Sequence, residues 1–502
     1  MVFGGVVRSA RADVVRTPRR AERTALNRAL LAFAALCALS ALLFARPHAT
    51  PGPALRDFES YYAAGATWLR AENPYGTAIW KSERTIPGVD PARYELLPFV
   101  GPPAFLPIWA LLARLPFRNA AAVWTAVLIA SLVLVLNLTL RIAGRRVNVE
   151  SFICVGILAL GFGPITSDIA LGQVALVAFA CALLACATAG RNVWGAAAAA
   201  LFAGLQPNVA LVLLARFRKK SVMLACGVAV VVFAGACALA VGPGALAAYG
   251  RLLHDHGNAE RFSLIQITPA AIAYGFGASA AVASAVGIVI AAASIAAWIV
   301  VAVITGNPFA RLAAACAVLP FAVPFFHEHD LLIVFVPALY AVTRADGRFV
   351  PVAVAGGLFA AVDWLGIAQR PDGLLQSALL GLAAFCALVC MAERPSARTY
   401  LAAAIPLILL PIAGFAATHD PAPIWPDAMR VLPSFGAGVS AATVWAAEQR
   451  ASGLLAPNAF WALLRCGPLL GCAMLLIAIA GAAKYPRPLY CRTGQRSQAG
   501  NS

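Results

Sequence analysis

Three sets of ionisable residues stand out in an otherwise apolar chain: Arg56-Asp57, the run His254-Asp255-His256 with Arg261 after it, and the run His327-Glu328-His329-Asp330. Carboxylates and imidazoles are the usual groups for moving protons, and ionisable residues near membrane spans are costly enough to point to function. Each set also has a plainer use. Asp57 precedes an apolar-periodic run, where aspartate is a normal helix N-cap, and the histidines can be solvated loop residues. His-Glu-His-Asp also raises a metal site, but a zinc-protease helix needs histidines four apart with Glu after the first, and position 331 is Leu. No Walker loop and no G-x-G-x-x-G set between a strand and a helix is present, so no nucleotide-binding domain is expected and no cofactor is assigned.

The elements that must carry these residues are membrane elements. The chain has 502 residues, 62% hydrophobic and only 12% charged, with a mean hydropathy of +0.82, which leaves too little polar surface for a soluble globule. An all-α polytopic integral membrane protein is expected. The balance of 38 basic to 21 acidic residues gives +17; the basic residues concentrate in short loops, as membrane topology demands, so no nucleic-acid partner is assigned. The 12 cysteines mostly sit in or at the ends of apolar runs and read as small packing residues, not as a disulfide frame.

Asp57 lies in a polar stretch, residues 47–118. After it, Phe58, Tyr61, Tyr62, Gly65, Trp68 and Leu69 recur at helical spacing, with Glu59, Arg70 and Glu72 mostly on the other side. Asn73-Pro74-Tyr75-Gly76 ends that helix as a turn, and Pro102-Pro103 opens a second with Phe105, Ile108, Trp109 and Leu112 on one face. Two interfacial helices along an extracytoplasmic surface are expected, with an aspartate at their entrance.

Residues 1–27 carry six arginines and few acids and read as a cytoplasmic arm before a first uncleaved span at 29–45. Runs at 119–140, 151–166 and 169–189 follow, with Arg141, Arg145 and Arg146 inside and Ser167-Asp168 outside. The segment Val193–Ala215 has basic clusters at both ends and Gln206-Pro207-Asn208 in its middle, which reads as a re-entrant broken helix. Further runs at 221–242, 279–304, 310–325, 331–343, 349–366, 374–392, 399–417 and 459–482 bring the count to about twelve spans. Residues 28–482 then form one transmembrane domain, 483–502 a cytoplasmic tail, and 243–268, 327–330 and 418–458 face outside. The spans are expected to hold almost no charge apart from Asp363 near an outer end.

In order along the chain, Asp57-x-x-x-Tyr61-Tyr62, Asn73-Pro74-Tyr75, Tyr94 with Pro102-Pro103, Leu115-Pro116, Gly172-Gln173 and the outward His327-Glu328-His329 resemble glycosyltransferase family 87, over about residues 50–345. The resemblance implies a GT-C-like membrane enzyme of the bacterial cytoplasmic membrane whose active site faces outside. It further implies a polyprenyl-phosphate-linked sugar donor, usually mannose, and a lipid or envelope glycan acceptor. Asp57 matches the family's base, and the histidines of 327–329 match a histidine-bearing loop near the donor. Candidates to stabilise the departing phosphate are then His327, His329, Arg261, His254 and His256, with Glu59, Tyr61 and Tyr62 in substrate contact. The family often has Lys before the proline of the re-entrant segment, where this chain has Gln206. A lipid or glycan transporter would also suit many spans and a broken helix, but it calls for charges deep in several spans and a repeat between halves. An inactive membrane scaffold is favoured if the outer acids and histidines lie far apart.

Overall fold

The computed structural model describes residues 55–87, 97–345, 349–362, 373–392, 394–417, 440–451 and 453–484. Among them every named element is helical, with one isolated antiparallel bridge between Gly76 and Ser440. Five helices are long and apolar enough to cross a membrane: Phe117–Ile142, Lys220–Gly242, Ala280–Ile304, Ala397–Ala416 and Ala459–Ala482. A pair bent by 75°, Val149–Leu160 with Gly163–Leu171, makes a sixth if it is one span. Their outer faces stay apolar: Leu239 is 90% exposed and Phe415 81%. That suits a hydrocarbon solvent and not water, and this is a membrane protein.

Several other expected spans are shorter helices of 10–17 residues, among them Ala175–Thr188, Pro308–Ala322 and Phe349–Ala361. About 20 apolar residues are needed to cross a bilayer untilted. The run expected at 331–343 divides into a 3-10 turn, His329–Val334, and the helix Phe335–Arg344. The N-terminal arm, the first span, Arg93, Tyr94, Asp363, most of 418–458 and the tail from 485 lie outside the described residues.

Local chemistry explains where the elements depart from the periodicity. The expected span 151–166 stops at Leu160, because Gly161-Phe162-Gly163-Pro164 turns the chain and Pro164 starts a new helix, Gly163–Leu171. Ser167 and Asp168 therefore lie inside that helix, fully buried, and not in an outer loop. The stretch 243–268 is not a loop either: helix continues from Lys220 to Glu260, redirected at Gly242, whose φ of 69° and ψ of 169° are non-helical. Pro243 follows at the start of the restarted stretch, where a missing N–H costs nothing. The broken segment has its break where the proline demands one: one helix ends at Ala203, Gln206 is extended, and Pro207 opens the next short turn.

The stretch before the long helices is packed, not merely laid on a surface. Phe58–Leu69 buries Glu59 completely, whereas Leu69 is 42% exposed, so the expected division into apolar and polar faces does not hold. A third short helix, Ala78–Glu83, packs against Phe58–Leu69, with Ser82 and Thr67 hydroxyls 2.6 Å apart, while Glu72 stays partly exposed beside Arg70. Tyr62 donates to Leu115 O at 2.8 Å and Tyr75 to Gly101 O at 3.1 Å, which ties the tyrosines of both motifs to the turns that follow and precede the helix Leu106–Ala113.

Candidate active site

Asp57 sits where the first turn of Phe58–Leu69 meets the C-terminus of Gly163–Leu171; its backbone N–H donates to Leu171 O at 2.9 Å. Gly172, with φ of 73°, turns the chain there, and an added Cβ would come within 2.8 Å of Leu55 and 2.9 Å of Phe58. Only glycine meets both demands. The turn aims Gln173 at the aspartate: Gln173 Nε2 donates to Asp57 Oδ2 at 2.6 Å, and Gln173 Oε1 accepts from the Tyr61 hydroxyl at 3.1 Å. Asp57 occupies the N-cap position but makes no side-chain cap bond. Its carboxylate points into a cavity instead of closing its own helix.

Tyr61 is fixed from behind by Trp109, with ring centroids 4.8 Å apart. Burial, reinforced by the Asp57, Asp168 and Asp330 charges, pushes its phenol well above the ordinary value, so it is a neutral hydrogen-bond donor.

Across the cavity, His327 Nε2 lies 3.0 Å from Glu260 Oε2. Glu260 is 1% exposed and also accepts from Gln266 Nε2 at 3.0 Å, Gln449 Nε2 at 2.9 Å and the Trp445 indole N–H. Burial pushes the Glu260 carboxyl up, but its interactions with His256 and His327 and the bonds from His327 and Trp445 more than reverse this and leave it below the usual range. Burial likewise pulls His327 down, and the adjacent Glu260 carboxylate overrides it, so His327 ends above the ordinary histidine value and is held protonated. For His256 and His329 burial prevails over their carboxylate neighbours, and both are held below that value.

Two further carboxylates of the 327–330 loop are pinned by distant residues. Asp330, fully buried, accepts from Gln206 Nε2 and Asn208 Nδ2, both at 3.0 Å, and from its own loop's His327 N–H at 3.1 Å. The break at Gln206-Pro207-Asn208 is thus a polar clamp on the histidine loop. Glu328 pairs with Arg465 at 2.9 Å, both side chains 3% exposed, and Arg465 Nε also donates to Leu264 O at 3.1 Å. Arg465 lies in Ala459–Lys484 and corrects the expectation that Asp363 was the charge to note within the spans. A buried charge in a span was itself a signal that a partner existed.

Asp57, Tyr61, His256, His327 and His329 therefore line one cavity, with Arg56, Gln173, Glu260, Glu328 and Trp445. The scaffold alternative, which needed the acids and histidines far apart, loses its premise. Four of the assigned substrate residues do not line it. Glu59 is fully buried behind the helix, Tyr62 holds Leu115, Arg261 packs over Phe262, and His254 is exposed beside Asn258. On a continuous helix His254 and His256 are about 200° apart, so only one can face inward. Gln173 and Asp330 were named without a role, and Glu260, Gln266, Trp445, Gln449 and Arg465 were missed. The spacing His256…Glu260 is i,i+4 and would have revealed the pair had 243–268 been read as helix. Among the described residues no group of three or more His, Cys, Asp or Glu is arranged to hold a metal ion.

Residues 99–326 match the family model of glycosyltransferase family 87. The match takes in Gln173, Gln206, His256 and Glu260 and stops short of Asp57 on one side and His327 on the other. No curated protein and no solved structure matches the chain.

Proposed function

We propose that this chain, whose residues 99–326 match the model of glycosyltransferase family 87, is a glycosyltransferase that transfers a hexose, mannose by preference, from a polyprenyl-phosphate-linked donor to a lipid or envelope glycan acceptor on the outer side of the bacterial cytoplasmic membrane. The observation that carries the reading is the disposition of Asp57: a carboxylate on the cavity wall, oriented by Gln173 and not used as a helix cap, opposite a histidine held as a cation. Asp57 takes the proton of the acceptor hydroxyl as its oxygen attacks C1 of the sugar. The C1–O bond to the acceptor forms as the C1–O bond to phosphate breaks, and the phosphate leaves with the electron pair. A single displacement inverts the configuration at C1 and passes through an oxocarbenium-like state. His327 faces the charge that develops on the leaving phosphate, a role best filled by a donor already in place and already charged. His329 and His256, on the same wall, are held below the ordinary value and act as neutral hydrogen-bonding groups. His254 and Arg261 have no part in this arrangement.

The test is chemical. Mass spectrometry of the lipids and envelope glycans of a deletion strain should show an acceptor one hexose short, and purified protein with polyprenyl-phosphate mannose should restore it. Unchanged glycans together with no donor consumption would remove the assignment.

A further inference from the structure

Glu260 is placed too well to be only a neighbour of the site. It ends the long kinked helix Lys220–Glu260 and is the common acceptor for groups from three other segments: Gln266, His327, and Trp445 with Gln449 on the helix Ala441–Ala451. Such a carboxylate is locked in orientation, because moving it breaks four hydrogen bonds at once. His327 is correspondingly fixed. Its backbone N–H donates to Asp330, its Nε2 is committed to Glu260 with Gln266 Nε2 2.9 Å away, and its ring stands edge-on to His329 with centroids 5.2 Å apart. The remaining ring nitrogen, Nδ1, has no partner among the described residues and is not among the buried polar atoms, and the side chain keeps 17% of its surface on the cavity.

We propose that Glu260 is a positioning residue for the transfer reaction: by engaging His327 Nε2 from a buried, four-bonded site, it keeps the imidazole charged and presents Nδ1–H to the phosphate of the donor. The proposal rests on the reading of His327 as the phosphate ligand and adds what makes it one. A histidine brings a positive charge to an anion only while protonated, and its ordinary pKa lies below the pH at which most proteins work. The other titratable or charged groups around His327 are His256 on the long helix, Glu328, His329 and Asp330 on its own loop, and Arg56 and Asp57 across the cavity. Glu328 is neutralised by Arg465 and Asp330 is occupied by Gln206 and Asn208. Glu260 is the carboxylate that contacts the imidazole.

The sign of the effect separates this role from bland electrostatics. Glu260→Gln removes a negative charge near a bound phosphate, so simple repulsion predicts tighter binding; loss of the imidazolium predicts weaker binding, and only at high pH. The measurement is binding of a short-chain polyprenyl monophosphate to the purified full-length protein in detergent, from pH 5.5 to 8.5. The probe's own titration is common to every variant and cancels in the comparison. A histidine of ordinary pKa is only about 3% protonated at pH 8, so Glu260→Gln should weaken binding about 10-fold or more there and about 2-fold or less at pH 5.5. With His327→Gln in place, Glu260→Gln should have no further pH-dependent effect. Equal pH profiles for Glu260→Gln and wild type, or tighter binding by the variant at pH 8, overturn the proposal while leaving His327 as a ligand. Wild-type affinity in His327→Gln at every pH overturns the underlying reading of His327, and Glu260's role with it. If Glu260→Gln does not fold, wild type alone decides: a wild-type loss of affinity, relative to His327→Gln, centred between pH 6 and 7 means that His327 titrates as an ordinary histidine and Glu260 does not hold it charged.

Discussion

Asp57→Asn separates chemistry from structure with one nearly isosteric change. The amide oxygen can still accept from Gln173 Nε2, which now stands 2.6 Å from Oδ2, but a charge-assisted bond becomes a neutral one. That difference is worth about 1 kcal/mol. No capping energy is at stake, because Asp57 makes no side-chain cap bond, so the usual loss of about 1 kcal/mol for a removed cap does not arise. Folding should therefore survive with a change of about 1 kcal/mol. The chemical step should not, since an amide cannot take the acceptor's proton: loss of a general base costs about 100-fold to 10,000-fold, or roughly 2.7–5.4 kcal/mol of barrier. Turnover would be measured on purified enzyme reconstituted in lipid with saturating donor, alongside thermal unfolding and polyprenyl phosphate binding, both expected to stay close to wild type. Asp57→Glu should lose a comparable factor, about 100-fold, because the longer chain displaces the oxygen by about an ångström and abandons the Gln173 anchor. A folded Asp57→Asn enzyme that transfers at near-wild-type rate would falsify the assignment of Asp57 as base.

Arg465→Met should destabilise the protein by roughly 3–5 kcal/mol by stranding Glu328 in a buried site, and Arg465→Met with Glu328→Gln should recover part of that loss, both read as unfolding in detergent; equal stability of wild type and Arg465→Met would refute the pairing. Gly172→Ala should cost about 1–3 kcal/mol through its φ of 73° and the contact with Leu55 and Phe58, and should also lower turnover by moving Gln173 away from Asp57. For topology, a cysteine at exposed Arg84 should react with an impermeant thiol reagent from outside and one at exposed Arg145 should not, whereas Glu328, 2% exposed, should stay unlabelled from either side until the protein unfolds. Labelling at 145 from outside would invert the proposed orientation.

Composition and periodicity by themselves determined the class of this protein and most of its helix positions. Runs such as 119–140, 279–304 and 399–417 reappear within a few residues as Phe117–Ile142, Ala280–Ile304 and Ala397–Ala416, because backbone in hydrocarbon must bond within its own segment and a long apolar run has little choice but helix. The break at Gln206-Pro207 was equally legible, since proline ends a helix whatever surrounds it. Chemically suggestive residues could be named as well: Asp57, His327 and His329 do share one cavity. Their partners were not legible, because partnership depends on packing between segments far apart in the chain. Gln173 reaches Asp57 across 116 positions, Gln206 reaches Asp330 across 124, and Gln449 reaches Glu260 across 189. The same packing took Glu59 and Tyr62 out of the site, although nothing in their local spacing distinguished them from Tyr61. A helical pattern says which residues share a face; only the tertiary structure decides whether that face meets a cavity, a neighbouring helix or water, and so whether a carboxylate becomes a base, the fixed partner of a histidine, or a buried member of the core.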